Sequence, residues 1–299
     1  MTTKGTPMFK GSIVALVTPF KGARVDEDAY RQLVDWQISQ GTNGIVPCGT
    51  TGESPTLTPD EHERVIAICV EAVRKRIPVI AGTGSNSTAE AVHLTQHAAK
   101  VGADAVLVVT PYYNKPTNKG LYLHFKAVAD SVKIPVILYN IPGRTCKNIE
   151  PEVMAKLARD CKNIVGVKEA SGSLEQMKRV KELCPKDFIL LSGDDGLILP
   201  VMGLGGTGVI SVAANIVPKD VVALIDAFNK GDIKKAEAIN AKFQPLVSAL
   251  FIETNPIPIK TAMALAGLCN GALRLPMCEM EDVHLAKLKE ALKTYGLLK

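Results

Sequence analysis

The sequence predicts an α/β fold, a (β/α)8 TIM barrel with a small C-terminal helical extension, and three observations predict it. Eight short β-rich runs recur with helical segments between them. Several runs, such as Ala105–Val109, are apolar on both faces, as strands are when helices cover both faces of a parallel sheet. Beyond residue 230 the strand signals stop and only helical periodicity remains. The expected division is therefore a barrel over residues 1–230, the usual size for eight strand-helix units, and helices over 231–299.

In chain order the strand runs are 12–18, 44–47, 78–82, 105–109, 135–140, 164–169, 188–192 and 208–211. Between the second and third, Thr58-Pro59-Asp60-Glu61 opens a helix as a capping box with proline at its first position, and Val65, Ile66, Cys69, Val70 and Val73 fall on one face. Ser87 with Glu90 and Ser173 with Gln176 repeat the capping-box spacing at two further helix starts. The uncharged stretch 196–217 has the length of a membrane span, but five glycines and Pro200 divide it into a short helix, a glycine turn and a strand. The extension reads as helices over 233–250, 259–268 and 283–297.

A doubly wound sheet is the alternative fold, and it requires a glycine-rich turn after the first strand. None follows Thr18. The Gly-x-Gly-x-x-Gly spacing of Gly203-Leu204-Gly205-Gly206-Thr207-Gly208 lies between a helix and a strand, the reverse of the dinucleotide fingerprint, so it reads as a turn. No Gly-Lys pair exists to form a P-loop.

Composition narrows the function classes. Apolar residues make up 46% and charged residues 22% of the 299, so a large core is available and disorder is excluded. Lysine and arginine exceed the acids by 35 − 30 = 5, scattered along the helices and not blocked together, a pattern that argues against nucleic acid as a partner and is compatible with anionic small molecules without pointing to them. Aromatics at 5% supply neither a base-stacking surface nor a membrane belt. Seven cysteines, without a Cys-x-x-Cys pair, read as reduced and mostly buried thiols of a cytoplasmic protein, and residues 1–11 leave no room for a signal peptide. The five histidines fall in helices; His93 and His97 have i, i+4 spacing, but Leu-Thr-Gln between them lacks the zinc-protease glutamate, so no metal is expected.

Residues just after each barrel strand form one rim, and that rim carries chemistry. Cys48-Gly49-Thr50-Thr51-Gly52-Glu53 follows the second strand, where close-approaching backbone and two hydroxyls suit a small carboxylate. Tyr112 and Tyr113 follow the fourth strand and Tyr139 ends the fifth, half of the six tyrosines on one rim. The sixth strand, Ile164-Val165-Gly166-Val167-Lys168-Glu169, sets a lysine in an apolar run, and with period two Gly166 and Lys168 share a face. Burial penalises the charged form of an amine and frees the nucleophile that makes a Schiff base with a carbonyl compound. Gly166 then leaves open space beside Lys168. A tyrosine bonded to a threonine hydroxyl, Tyr139 with Thr50, supplies the proton shuttle, and Arg144 a clamp for a second carboxylate. Two readings compete at single residues: Lys168 paired with Glu169, and Asp194-Asp195 as a magnesium site or a helix cap.

Five segments, Gly49-Thr50-Thr51-Gly52-Glu53, Pro111-Tyr112-Tyr113-Asn114, Tyr139-Asn140-Ile141-Pro142-Gly143-Arg144-Thr145, Val165-Gly166-Val167-Lys168-Glu169-Ala170 and Leu191-Ser192-Gly193-Asp194-Asp195, resemble the dihydrodipicolinate synthase family in order and spacing, from Gly11 onward. The resemblance implies condensation of pyruvate with L-aspartate 4-semialdehyde to 4-hydroxy-tetrahydrodipicolinate, the first committed step toward diaminopimelate and lysine, with no cofactor. It implies imine formation at Lys168, proton transfer by Tyr139 and Thr50, and Tyr113 completing the relay from a neighbouring subunit of a homotetramer built from dimers. It implies that Thr50 and Thr51 hold the pyruvate carboxylate, Arg144 the semialdehyde carboxylate, and the carbonyls of Gly193 and Ile210 line the site. Ser54, His62, Asn86, Glu90 and Tyr112 match polar positions of a lysine regulatory pocket, although Pro55 and Pro59 stand where inhibited relatives carry alanine and histidine. N-acetylneuraminate lyase and 2-keto-3-deoxy sugar acid aldolases share the superfamily and remain alternatives, as does a non-catalytic barrel that binds a keto acid.

Overall fold

A computed structural model describes residues 9–299; most of the segment read for a signal peptide, residues 1–8, lies outside it. The eight expected strands are present as β1 (Gly11–Ala15), β2 (Gly44–Val46), β3 (Ile80–Gly82), β4 (Ala105–Val109), β5 (Val136–Asn140), β6 (Ile164–Glu169), β7 (Ile189–Ser192) and β8 (Gly208–Ser211). All neighbours pair in parallel, and β1 pairs with both β2 and β8. An Ile45–Val79 bridge joins β2 to the run before β3 and closes the ring. The first run ends earlier than its sequence pattern because Val17 N–H donates to Asn215 Oδ1 at 3.1 Å and Thr18 Oγ1 to the Gly52 carbonyl at 2.7 Å. A two-plus-two-residue hairpin, Phe20–Lys21 against Arg24–Val25, is too short to show as periodicity.

Period two divides the strands between two cores. Ile13, Leu107, Ile137, Tyr139, Ile189, Leu191 and Ile210 pack inside the ring, whereas Val14, Val106, Leu138, Val167 and Leu190 pack against the helices. Gly166 and Lys168 therefore face the interior, opposite Ile189 and Leu191. The space expected beside Gly166 is not there: a Cβ would lie 2.6 Å from both Ile189 Cβ and Ile189 O. Gly166 is small because β7 packs against it, so it makes no room for a ligand. Glu169 points the other way, where it accepts bonds from Asn140 Nδ2, Gln176 Nε2 and Ser171 N–H, and this rules it out as the partner of Lys168.

Of the three capping boxes, only that of Thr58 and Glu61 closes reciprocally. Ser87 and Ser173 accept from the expected backbone N–H groups. The side chains meant to reach back are engaged elsewhere: Ser85 donates to Glu90, and Gln176 reaches Asn148 and Glu169. The stretch 196–217 divides as expected, into the helix Ile198–Gly203, a turn and β8; no helix among the described residues is long and apolar enough to cross a membrane. All seven cysteines are free; Cys48, Cys69, Cys161 and Cys184 are buried, but Cys146 and Cys278 lie exposed, on a rim helix end and in a loop.

The extension comprises Ile233–Leu250, Ile257–Leu265 and Asp282–Tyr295. Its buried Phe243, Leu246, Ile259 and Met263 belong to the same apolar cluster as the outward faces of the barrel strands. Asn255, Lys260 and Arg274 of this extension reach the rim.

Candidate active site

A cavity of about 630 Å³ opens at the C-terminal ends of β2, β4 and β5, with Thr50, Ser85, Val109, Tyr112, Tyr139 and Arg144 in its wall. Lys168 lies beneath Tyr139: only 5% exposed, it places Nζ 4.3 Å from the centroid of the Tyr139 ring, the residue paired with it across β5 and β6. Gly193, at the end of β7, backs the lysine, and a Cβ there would come 3.1 Å from Lys168 Cε and 2.6 Å from Ala170 Cβ. Ile210 on β8 closes the inner core beside Tyr139 and Leu191.

Thr50 and Thr51 sit in a tight turn in which Gly52 N–H donates to the Gly49 carbonyl and Glu53 N–H to the Thr50 carbonyl, both at 3.1 Å. The left-handed positions fall on Cys48 (φ 53°) and Glu53 (φ 54°), not on the glycines. Gly52 is needed for closeness, since a Cβ would meet the Leu16 carbonyl at 3.0 Å. Thr51 is buried and its hydroxyl accepts from Asn255 Nδ2 at 3.1 Å. Arg144, on the short helix Pro142–Thr145, stands exposed at the cavity lip and donates to the Asn255 carbonyl at 2.9 Å. Asn255 thus joins the two carboxylate-binding candidates, and sequence reasoning passed over it: an Asn-Pro step reads as an ordinary loop.

Tyr113 is brought to neither Tyr139 nor the cavity wall; it projects outward, 88% exposed, with φ 71°. Ser54, His62, Glu90 and Tyr112 line the same cavity together with Pro55 and Pro59, whereas Asn86 lies outside the wall and its carbonyl accepts from Asn114 Nδ2. His62 Nδ1 is buried without a partner among the described residues, and burial pushes the imidazole pKa down to about 4.

The other candidates resolve into structural roles. His93 and His97 both reach Glu63, at 2.9 and 3.2 Å, which ties neighbouring helices together. Asp194 caps Gly196 N–H, and Asp195 is buried, accepting from Ser211 Oγ, Val212 N–H and Ala213 N–H. Burial raises the Asp195 pKa even against those donors. Both carboxylates serve the backbone, which removes the magnesium reading.

A closed parallel barrel with a cavity rich in hydroxyl groups at the C-terminal ends of its strands defines the class: a (β/α)8 barrel enzyme. Comparison with known proteins then gives the particular family. The chain belongs to the dihydrodipicolinate synthetase family, whose model matches residues 8–295. It is 59% identical over 292 residues to the 4-hydroxy-tetrahydrodipicolinate synthase of Endomicrobium trichonymphae, covering 98% of this chain and all of that one. The crystal structure of dihydrodipicolinate synthase from Aquifex aeolicus superposes with a TM-score of 0.95 at 52% identity, covering 97% of this chain and 99% of that one. The enzyme from Cyanidioschyzon merolae, solved with lysine bound, matches with the same TM-score at 43% identity, over 98% and 100% of the two chains.

Proposed function

We infer that this chain is a 4-hydroxy-tetrahydrodipicolinate synthase, a lyase that condenses pyruvate with L-aspartate 4-semialdehyde on the way to diaminopimelate and lysine. The observation that carries the reading is Lys168, buried on the inner face of β6 with its amine over the Tyr139 ring. The amine attacks the pyruvate C2 carbonyl, water leaves, and an imine forms; the protonated imine accepts the electron pair released when C3 loses a proton. The enamine carbon then attacks the semialdehyde carbonyl, and a proton moves to the new alkoxide through Tyr139 and Thr50. Attack of the semialdehyde's amino group on the imine carbon closes the ring and frees Lys168. Thr50 and Thr51 hold the pyruvate carboxylate, Arg144 the second carboxylate, and the carbonyls of Gly193 and Ile210 line the approach. No step needs a cofactor.

The outward Tyr113 suits a role in a second copy of the chain, so the working assembly in this reading is a homotetramer of dimers in the cytoplasm. The part of the cavity wall made by Ser54, His62, Glu90 and Tyr112, with Asn86 outside it, is the expected seat of lysine as an inhibitor. Isothermal titration showing no heat with millimolar lysine removes that role.

Borohydride reduction in the presence of pyruvate, followed by peptide mapping, is expected to add a 1-carboxyethyl group to the Nζ of Lys168 alone. Lys168→Ala should lower kcat by a thousandfold or more, on the order of removing any covalent nucleophile. An unmodified Lys168 overturns the mechanism, and turnover of sugar acids in place of the semialdehyde overturns the substrate assignment.

A further inference from the structure

The mechanism makes no use of the most deeply buried ion pair in the described residues. Lys260, on the helix Ile257–Leu265, has no solvent exposure; its Nζ lies 2.6 Å from Glu53 Oε1 and 2.8 Å from the Thr18 carbonyl, with the Phe20 ring centroid at 4.3 Å. Glu53 Oε2 accepts from Arg274 N–H at 3.1 Å, so both carboxylate oxygens are held by the extension. Thr18 donates in turn to the carbonyl of Gly52. These bonds converge on one five-residue turn, Gly49 to Glu53, and Glu53 is the residue that takes a left-handed φ to end it.

Stability alone gives little reason for such a pair. Desolvating two charges costs about as much as their attraction returns, and apolar residues of similar volume commonly do as well. An apolar pair fills the space but offers no directional bond. The Glu53 carboxylate, fixed at two oxygens, holds the φ that a side chain disfavours, and this sets the direction in which Thr50 and Thr51 leave the turn. We propose that Glu53 and Lys260 are positioning residues, which tie the turn carrying Thr50 and Thr51 to the C-terminal extension in the shape that receives the carboxylate of the keto acid.

This inference rests on the function proposed above, and one experiment separates them. Borohydride trapping at Lys168 is titrated with pyruvate, without the second substrate, in wild type, Glu53→Gln, and the double variant Glu53→Leu with Lys260→Met. Glu53→Gln keeps the side-chain shape and is expected to raise the pyruvate half-saturation point about tenfold, short of the hundredfold that an ångström of misplacement can cost. Maximal trapping should stay unchanged. The double variant is expected to regain the wild-type melting temperature without regaining the wild-type half-saturation point. Wild-type half-saturation in either variant overturns the positioning role, and Glu53→Gln decides alone if the double variant does not fold. A wild-type protein that pyruvate never labels overturns the function and this inference together.

Discussion

Asn255 bonds two residues of the proposed site at once: its side chain donates to Thr51 and its carbonyl accepts from Arg144. The two contacts separate in a variant. Asn255→Ala removes the bond to Thr51 and keeps the backbone contact to Arg144, at a stability cost of about 1 kcal/mol. Steady-state kinetics should show the pyruvate KM rising severalfold while the semialdehyde KM changes little; equal changes in both would contradict the assignment. Lys168 is legible in the sequence alone, because a charge inside an apolar strand demands an explanation. Asn255 is not, since its partners Thr51 and Arg144 are more than a hundred residues away in the chain and nothing local marks it.

At the scale of elements, β6 and β7 show how a correct strand assignment can carry a wrong role. Period two puts Gly166 and Lys168 on one face, as found, but only the packing of Ile189 reveals what fills the gap at Gly166. Gly166→Ala forces Cβ into Ile189 and should destabilise the protein by about 1–3 kcal/mol, the usual cost of overpacking. A urea midpoint equal to that of wild type would refute the close contact. The capping boxes carry the same lesson. Thr58 and Glu61 close theirs at an exposed helix start, whereas Gln176 finds Asn148 and Glu169 within reach and leaves its own helix. Spacing determines which backbone N–H is capped, and the surroundings determine where the second side chain goes.

Over the whole molecule, acid stability depends on two imidazoles in different helices. Burial pushes His62 and His124 from 6.5 down to about 4. A folded pKa below the unfolded value means that the unfolded chain takes up protons first as pH falls, so this stability is whole above about pH 6.5 and drains away as pH drops through about 4. Glu61, held at about 2 by the Arg274 guanidinium, loses its contribution only below its ordinary 4.5. The range from pH 6.5 to 4.5 is therefore one in which these histidines act and Glu61 does not. Between those limits the melting temperature of wild type should fall more steeply than that of the His62→Gln, His124→Gln double variant; parallel curves would show that neither histidine matters. Arg274 and Lys260 also bind the extension to the barrel rim, so unfolding is expected as one transition.

By itself the sequence determined the eight strands, their burial on both faces, the closing helices and the lysine, tyrosines, threonines and arginine of the rim. Those features are local: period, capping spacing and a lone charge in an apolar run are written in consecutive residues. Only the tertiary structure decided that Gly166 receives Ile189, that Asp195 accepts from Ser211, Val212 and Ala213, that Tyr113 faces outward, and that Asn255 and Lys260 of the extension reach Thr51, Arg144 and Glu53. Each of these depends on contacts between residues far apart in the chain, and a hydrogen bond or a steric limit of that kind exists only once the ring has closed.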